Sequence, residues 1–178
     1  MGRESDINIV KNSIESYPDF PKPGVLFRDI FSLMKNPKAL EALNKLILEE
    51  VENMVPKPDV IIGLESRGFL FGPLISLQTR IPFVPIRKKG KLPGQVNKQT
   101  YELEYGTDTV EIQSDAIQQG QNILIVDDLL ATGGTLQAAC KLVSQLGAHV
   151  KKCIVVMELL DLNGRRSVDA PIHSIVQY

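Results

Sequence analysis

The sequence lacks the long apolar runs and the abundant cysteines that mark membrane proteins and disulfide-bonded secreted domains. No apolar run approaches the roughly 20 residues that a helix needs to cross a bilayer, and the amino-terminal residues have no apolar segment of the secretory type. The two cysteines, Cys140 and Cys153, lie in apolar periodic segments, so we expect buried thiols. These absences predict a cytoplasmic protein without a membrane partner.

An excess of positive charge is also missing. The 178 residues carry a formal net charge of −1, which does not favour a generally basic nucleic-acid-binding protein. His149 and His173 have neither partners at metal-ligand spacing nor a nucleophile motif nearby, which argues against a metal site or a catalytic triad. With 43% hydrophobic and 23% charged residues, the chain fits one ordinary globular domain over residues 1–178.

The segment Asn122–Thr135 is the most informative part of the chain. It begins with an unbroken apolar run, as expected for a strand buried on both faces of a parallel sheet. It then changes to Asp127-Asp128 and a small-residue loop, and apolar residues at helical spacing follow up to Leu146. The pattern predicts strand, tight loop and helix in an α/β protein, whose ligand binds at the carboxyl end of the strand.

The composition of this loop indicates a sugar-phosphate ligand. Gly133 and Gly134 allow a sharp turn close to a ligand, and the N–H groups at the start of the next helix can bind phosphate. Thr132 and Thr135 add hydroxyl donors. The two carboxylates would repel bare phosphate, but they can accept from sugar hydroxyls or ligate a divalent cation, so Mg²⁺ is expected. An exposed acidic turn beside ordinary loop glycines is the alternative.

Two further segments follow predicted buried strands. Glu65-Ser66-Arg67-Gly68 comes after Val60–Leu64; an arginine beside a helix start suits a second anion, although a surface salt bridge also explains it. After Phe83–Ile86, four cations fall within five residues, either as a solvated charge run or as a lid over a polyanion. We expect residues 87–105 to form a flexible basic loop and a hairpin.

Charged residues at three other places in the chain have either a structural or a functional interpretation. The pair Arg28-Asp29 lies between apolar residues, where a structural salt bridge is the usual explanation and a place in a pocket is the alternative. Glu104 falls in the alternating pattern of the hairpin and is either an exposed acid or a general acid–base. The turn Asp161–Arg166 has a basic tip, which we expect to be solvated.

The residues Val126–Thr135 resemble the phosphoribosyl diphosphate motif of the type I phosphoribosyltransferase family, and that motif is specific. Further stretches resemble the members of the family that act on adenine, in the family's order and over nearly the full length; they are residues 17–21, 24–30, 63–69, 86–94 and 101–106. Glu65 departs from the aspartate of many members. The resemblance implies the type I fold: a mostly parallel central sheet flanked by helices, a small N-terminal hood over residues 1–34 and a flexible loop.

The resemblance also implies a reaction, in which adenine and phosphoribosyl diphosphate give AMP and diphosphate in purine salvage. It implies a homodimer, and Mg²⁺ held mainly by diphosphate, ribose and water rather than by protein ligands. Asp127 and Asp128 would contact the ribose hydroxyls, and Glu104 would manage the proton of the purine imidazole ring. The implied substrate-binding residues are Leu26, Phe27 and Arg28 for the base, Ser66, Arg67, Arg87, Lys88 and Lys91 for the diphosphate, Ala131, Thr132, Gly133, Gly134 and Thr135 for the 5′-phosphate, and Tyr105.

Two alternatives remain open at this point. A transferase for hypoxanthine/guanine, xanthine or orotate would share the fold and the phosphate loop and would differ in the hood. A regulator that keeps the sugar-phosphate site as a sensor and binds nucleic acid would need an added DNA-binding domain or a broad basic face, for which this chain has no room.

Overall fold

A computed structural model of the protein describes residues 2–102 and 106–178. The residues up to Glu50 form one compact unit, and Val51–Tyr178 form a second. The prediction of one catalytic domain over the whole chain stays a prediction. None of the helices in the described ranges is long and apolar enough to cross a membrane.

The first unit combines helices with a two-stranded antiparallel sheet. Asn36 begins the long helix as predicted, since its Oδ1 accepts from the backbone N–H of Lys38 at 3.1 Å and proline fills the first helical position. Asp29 caps the preceding short helix by accepting from the N–H of Phe31 at 3.0 Å. The elements are α1 (Arg3–Asn12), β1 (Glu15–Pro18), β2 (Leu26–Asp29), α2 (Ile30–Met34) and most of α3 (Pro37–Glu52).

The second unit is built on a seven-stranded sheet in which five neighbouring strands are parallel, and the two strands at one edge are joined by antiparallel pairing. Its strands are β3 (Val60–Leu64), β4 (Phe83–Lys88), β5 (Val96–Glu102), β6 (Thr107–Gln113), β7 (Asn122–Leu130), β8 (His149–Glu158) and β9 (Ile172–Gln177). Their order is β5-β6-β4-β3-β7-β8-β9, with β5 and β6 antiparallel. The helices are α4 (Gly72–Thr79) and α5 (Gly134–Gln145), and short 3₁₀ turns cover Arg67–Leu70, Leu160–Leu162 and Gly164–Ser167.

The core of the second unit lies around β7, as the apolar run in the sequence predicts. Ile123, Leu124 and Ile125 are completely buried, and the apolar face of α5 belongs to the same cluster as β7. Cys140 and Cys153 are both buried free thiols, which confirms that prediction. The mostly parallel sheet flanked by helices is confirmed too.

The structure corrects the extent of two predicted loops. Strand β7 continues to Leu130, so the acidic pair lies on a strand rather than in the loop after it. Of residues 87–105, the first two belong to β4 and Val96–Glu102 form β5. Strand β5 pairs with β6 along its whole length. This backbone ladder satisfies polar groups without requiring an apolar pattern in the side chains, which is why the sequence did not indicate it.

Candidate active site

A cleft of about 630 Å³ lies in the second unit where the carboxyl ends of β3, β4 and β7 meet. These three strands are parallel neighbours, so the segments that follow them converge on one edge of the sheet. The cleft brings together the predicted residues Ser66, Arg67, Arg87, Lys88, Lys91, Asp127, Asp128, Ala131, Thr132, Gly133, Gly134 and Thr135.

The two acids at the end of β7 are in different environments. Asp128 is 4% exposed, and its Oδ2 accepts a hydrogen bond from Nε of Arg67 at 2.5 Å. Asp127 accepts from the N–H of Asp128 at 2.9 Å. Withdrawal from water, together with the adjacent Asp128 carboxylate, raises the pKa of Asp127 well above its ordinary range. The alternative of an exposed acidic turn is therefore wrong.

Gly68 allows Arg67 to reach the end of β7. A Cβ at position 68 would lie 2.6 Å from the carbonyl oxygen of Val126 and 3.3 Å from Oδ1 of Asp127. Without that Cβ, the 3₁₀ turn Arg67–Leu70 packs directly on the strand. The salt bridge that was the alternative explanation for Arg67 is thus present, but it lies in the cleft and joins the 3₁₀ turn after β3 to the end of β7.

The predicted phosphate cradle, Ala131–Thr135, consists of the loop Ala131–Gly133, which we call the phosphate loop, and the first two residues of α5. Gly133 has a φ of 85°, in the left-handed region that glycine adopts without strain. Helix α5 begins at the next residue, so its first N–H groups lack partners within the helix and lie at the cleft, beside the positive end of the helix dipole. This arrangement suits a phosphate group.

Glu65 organises the cationic side of the cleft, a role that the sequence analysis missed. Its carboxylate accepts from Nη2 of Arg87 at 3.0 Å, from Nζ of Lys91 at 2.8 Å and from the N–H of Lys88 at 3.0 Å. Burial by itself would raise the pKa of Glu65, but these hydrogen bonds bring it down to about 2. The charge run is therefore not simply solvated; its position directly after a buried strand was the available signal.

Tyr101 and Asp108 are two further cleft residues that were not predicted as site residues. They face each other across the β5–β6 pair. Oδ2 of Asp108 forms an ion pair with Nζ of Lys88 at 3.1 Å. The hydroxyl of Tyr101 lies 3.1 Å from Oγ1 of Thr135. Burial is the main cause of the raised pKa of Tyr101, and its hydroxyl contacts the first turn of α5 beside the loop Ala131–Gly133.

The remaining predicted residues belong to the first unit or lie outside the described residues. Leu26, Phe27 and Arg28 lie on β2 in the first unit, where Arg28 donates to Oγ of Ser16 at 2.5 Å. Glu104 and Tyr105 lie outside the described residues. Their predicted roles stay predictions. Within residues 2–102 and 106–178, no group of three or more His, Cys, Asp or Glu residues could hold a metal ion.

The cleft can now be compared with known proteins. Residues 31–175 match the model of the phosphoribosyl transferase domain. The chain is 49% identical over 178 residues to the adenine phosphoribosyltransferase of Drosophila pseudoobscura pseudoobscura, which covers 100% of this chain and 98% of that protein. It is 49% identical over 177 residues to the Rattus norvegicus adenine phosphoribosyltransferase, with 98% of each chain covered.

A solved structure gives the same result. The crystal structure of the Saccharomyces cerevisiae adenine phosphoribosyltransferase, complexed with adenine and D-2,5-dideoxy-2,5-imino-altritol 1,6-bisphosphate, superposes with a TM-score of 0.91 at 46% identity. The match covers 97% of this chain and 99% of the yeast chain. On the sequence match, the shared fold and the matching length, this chain belongs to the phosphoribosyltransferase family and, within it, to the adenine phosphoribosyltransferases.

Proposed function

We propose that the protein transfers the 5-phosphoribosyl group of phosphoribosyl diphosphate to adenine, giving AMP and diphosphate in purine salvage. One observation carries the proposal: a phosphate loop, two strand-end acids and a row of cations line the same cleft. Those three groups match the 5′-phosphate, the ribose and the diphosphate of one substrate. The yeast relative is complexed with adenine and a bisphosphate, which supports the same classes of ligand here.

The phosphate loop and the acids would hold the ribose 5-phosphate half. The N–H groups at the start of α5 and the hydroxyls of Thr132 and Thr135 would donate to the 5′-phosphate. Asp127 and Asp128 would accept from the ribose hydroxyls. Since Asp128 also accepts from Arg67, this hydrogen bond links the ribose side of the cleft to the diphosphate side.

The cationic side would bind the diphosphate. Ser66 and Arg67 follow β3, while Arg87, Lys88 and Lys91 follow β4, so the diphosphate would lie between these two segments. We assign Mg²⁺ to the substrate complex, with ligands from diphosphate, ribose and water, as the resemblance to the family implies. Bound in this way, Mg²⁺ would neutralise part of the charge on the leaving group.

The reaction breaks the bond between the ribosyl carbon and the diphosphate oxygen and forms a bond to a ring nitrogen of adenine. Diphosphate leaves with the bonding electrons, so positive charge grows on the sugar, where Asp128, and Asp127 in its ionised form, would favour it. The nitrogen loses its proton, and we assign that proton to Glu104. Leu26, Phe27, Arg28 and Tyr105 keep their predicted roles in substrate binding.

We also propose that the protein works as a cytoplasmic homodimer, as the resemblance to its family implies. Sedimentation equilibrium of the purified chain tests the oligomer directly. A species of twice the chain mass of 19.7 kDa is expected, and a monomer at assay concentration would contradict it.

The reaction itself is tested by incubating the protein with labelled phosphoribosyl diphosphate, Mg²⁺ and one base at a time. We expect labelled AMP with adenine and no product with hypoxanthine, guanine, xanthine or orotate. Product with another base would identify a different transferase of the same fold. No product with any base would favour a sugar-phosphate sensor and overturn the proposal.

The role of Glu104 needs its own variant. We expect Glu104→Gln to lower kcat far more than it weakens binding of phosphoribosyl diphosphate, because the variant keeps the shape of the side chain but cannot accept the proton. The matched control is Glu102→Gln, which removes the same charge from an exposed position on β5. Unchanged turnover in Glu104→Gln would remove this residue from the mechanism.

A further inference from the structure

The turn Gly164–Ser167, which follows β8, packs against the phosphate loop. A Cβ on Gly164 would overlap the carbonyl oxygen of Ala131 and would lie 2.9 Å from the backbone nitrogen of Gly133. A Cβ on Gly133 would in turn overlap the carbonyl oxygen of Gly164. The two backbones are therefore in direct contact, with no room for a side chain between them.

The need for glycine at position 164 arises from this contact and not from the backbone conformation. Gly164 is absent from the glycines with positive φ, whereas Gly133 is among them. An alanine at position 164 would thus cost little in backbone strain. It would instead push against the Ala131 carbonyl, so the position of the turn sets the position of the phosphate loop.

An ion pair to a buried acid fixes this turn. Glu158, at the end of β8, is 4% exposed and accepts from Nε of Arg165 at 2.9 Å and from its Nη2 at 2.5 Å. Ser174 on β9 donates to the same carboxylate at 2.6 Å. Arg165 also donates to the carbonyl of Ile172 at 2.7 Å. Arg165 is therefore both exposed, as predicted for this tip, and held against two strands by its hydrogen bonds, which the prediction missed.

The turn lies within the segment 159–169. Two other contacts hold the ends of this segment to the elements that flank the phosphate loop. The N–H of Leu159 donates to the carbonyl of Leu130, the last residue of β7, at 3.0 Å. The side chain of Gln137 on α5 donates to Asp169 at 2.5 Å, and its amide oxygen accepts from the Asp169 N–H at 2.9 Å. The segment thus bridges the strand before the loop and the helix after it.

We propose that Glu158 and Arg165 are positioning residues for the 5′-phosphate: their ion pair holds Gly164 against Ala131 and Gly133 and so sets the geometry of the phosphate loop. Neither side chain lines the cleft, so both act through the backbone of the loop. The inference rests on the proposed function, which assigns this loop to the phosphate of the sugar.

The neighbouring residue Arg166 supplies a matched control. Arg165 and Arg166 lie in the same 3₁₀ turn and carry the same charge, and Arg166 is exposed. Both Arg165→Ala and Arg166→Ala therefore remove an arginine from the same turn, but only Arg165→Ala removes the contact to Glu158. Gly164→Ala is an independent variant, because it disturbs the loop without touching the ion pair.

The experiment measures dissociation constants by isothermal titration calorimetry for two probes, ribose 5-phosphate and inorganic diphosphate with Mg²⁺, alongside the melting temperature. We expect Arg165→Ala and Gly164→Ala to bind ribose 5-phosphate about 10- to 100-fold more weakly, while diphosphate binding changes by less than about twofold. Arg166→Ala should bind both probes like the unaltered protein. Arg165→Lys, which keeps the charge but not the paired donors, should recover part of the loss.

Two results for Arg165→Ala would count against the inference. Unaltered ribose 5-phosphate binding in Arg165→Ala, or an equal loss for both probes, would overturn it, the second because it indicates a general loss of structure. If Gly164→Ala does not fold, the Arg165 variants decide the question. If the unaltered protein binds neither probe, the proposed function is overturned and this inference with it. If the unaltered protein binds both probes and Arg165→Ala does so equally well, only this inference fails.

Discussion

Replacing Glu158 by glutamine should make part of the stability of the protein independent of pH. The carboxylate is buried at the end of β8 and pairs with Arg165. The hydrogen bonds from Arg165, and to a smaller extent those from Ser174 and Gln177, outweigh the effect of burial and hold the pKa of Glu158 at about 2, against an ordinary value of 4.5. Glutamine has nearly the same shape and carries no charge to titrate.

The direction of the pH dependence of stability follows from this lowered pKa. Because the pKa is lower in the folded than in the unfolded chain, the stabilisation is fully present above about pH 4.5 and is lost as the pH falls towards 2. The difference in pKa sets an upper limit of about 3 kcal/mol on the contribution of Glu158 to the free energy of unfolding. The Arg165 side chain is 44% exposed, so water screens the pair, and we expect about 1–2 kcal/mol.

The assay is urea unfolding followed by circular dichroism at several pH values between 7 and 3. At pH 7, Glu158→Gln should be less stable than the unaltered protein by that amount, and the gap should close as the pH approaches the pKa of Glu158. Glu41→Gln, at an exposed position of α3, is the control and should show no such gap. A gap that is absent at pH 7, or that stays constant down to pH 3, would refute the reasoning.

Three other substitutions test the cleft itself. Tyr101→Phe removes the hydroxyl 3.1 Å from Thr135, a bond worth about 0.5–1.5 kcal/mol, so KM for phosphoribosyl diphosphate should rise about 2- to 10-fold in steady-state assays; an unchanged KM would contradict the contact. Asp128→Asn removes a charge at the ribose side and should lower kcat/KM about a hundredfold, and full activity would exclude the role of the acid. Gly68→Ala places a Cβ 2.6 Å from the Val126 carbonyl, which should cost about 1–3 kcal/mol of stability; a thermal melt matching the unaltered protein would disprove this clash.

The sequence by itself determined the features that depend on neighbouring residues. The apolar runs of β3 and β7 identified strands buried on both faces, and Asn36 followed by proline located the start of α3. The change from apolar residues to Asp127-Asp128 and a glycine loop located the loop that we propose as the phosphate site. These signals are readable because strand burial, helix caps and glycine turns are set by residues within a few positions of each other along the chain.

Only the tertiary structure decided which side chains meet. Asp128 pairs with Arg67, 61 positions away, and Glu65 collects Arg87, 22 positions away, because parallel neighbouring strands deliver their loops to one edge. The contact of Gly164 with the phosphate loop has the same origin, since β8 lies beside β7. Pairings of this kind depend on the order of strands in the sheet, and local periodicity carries no information about that order.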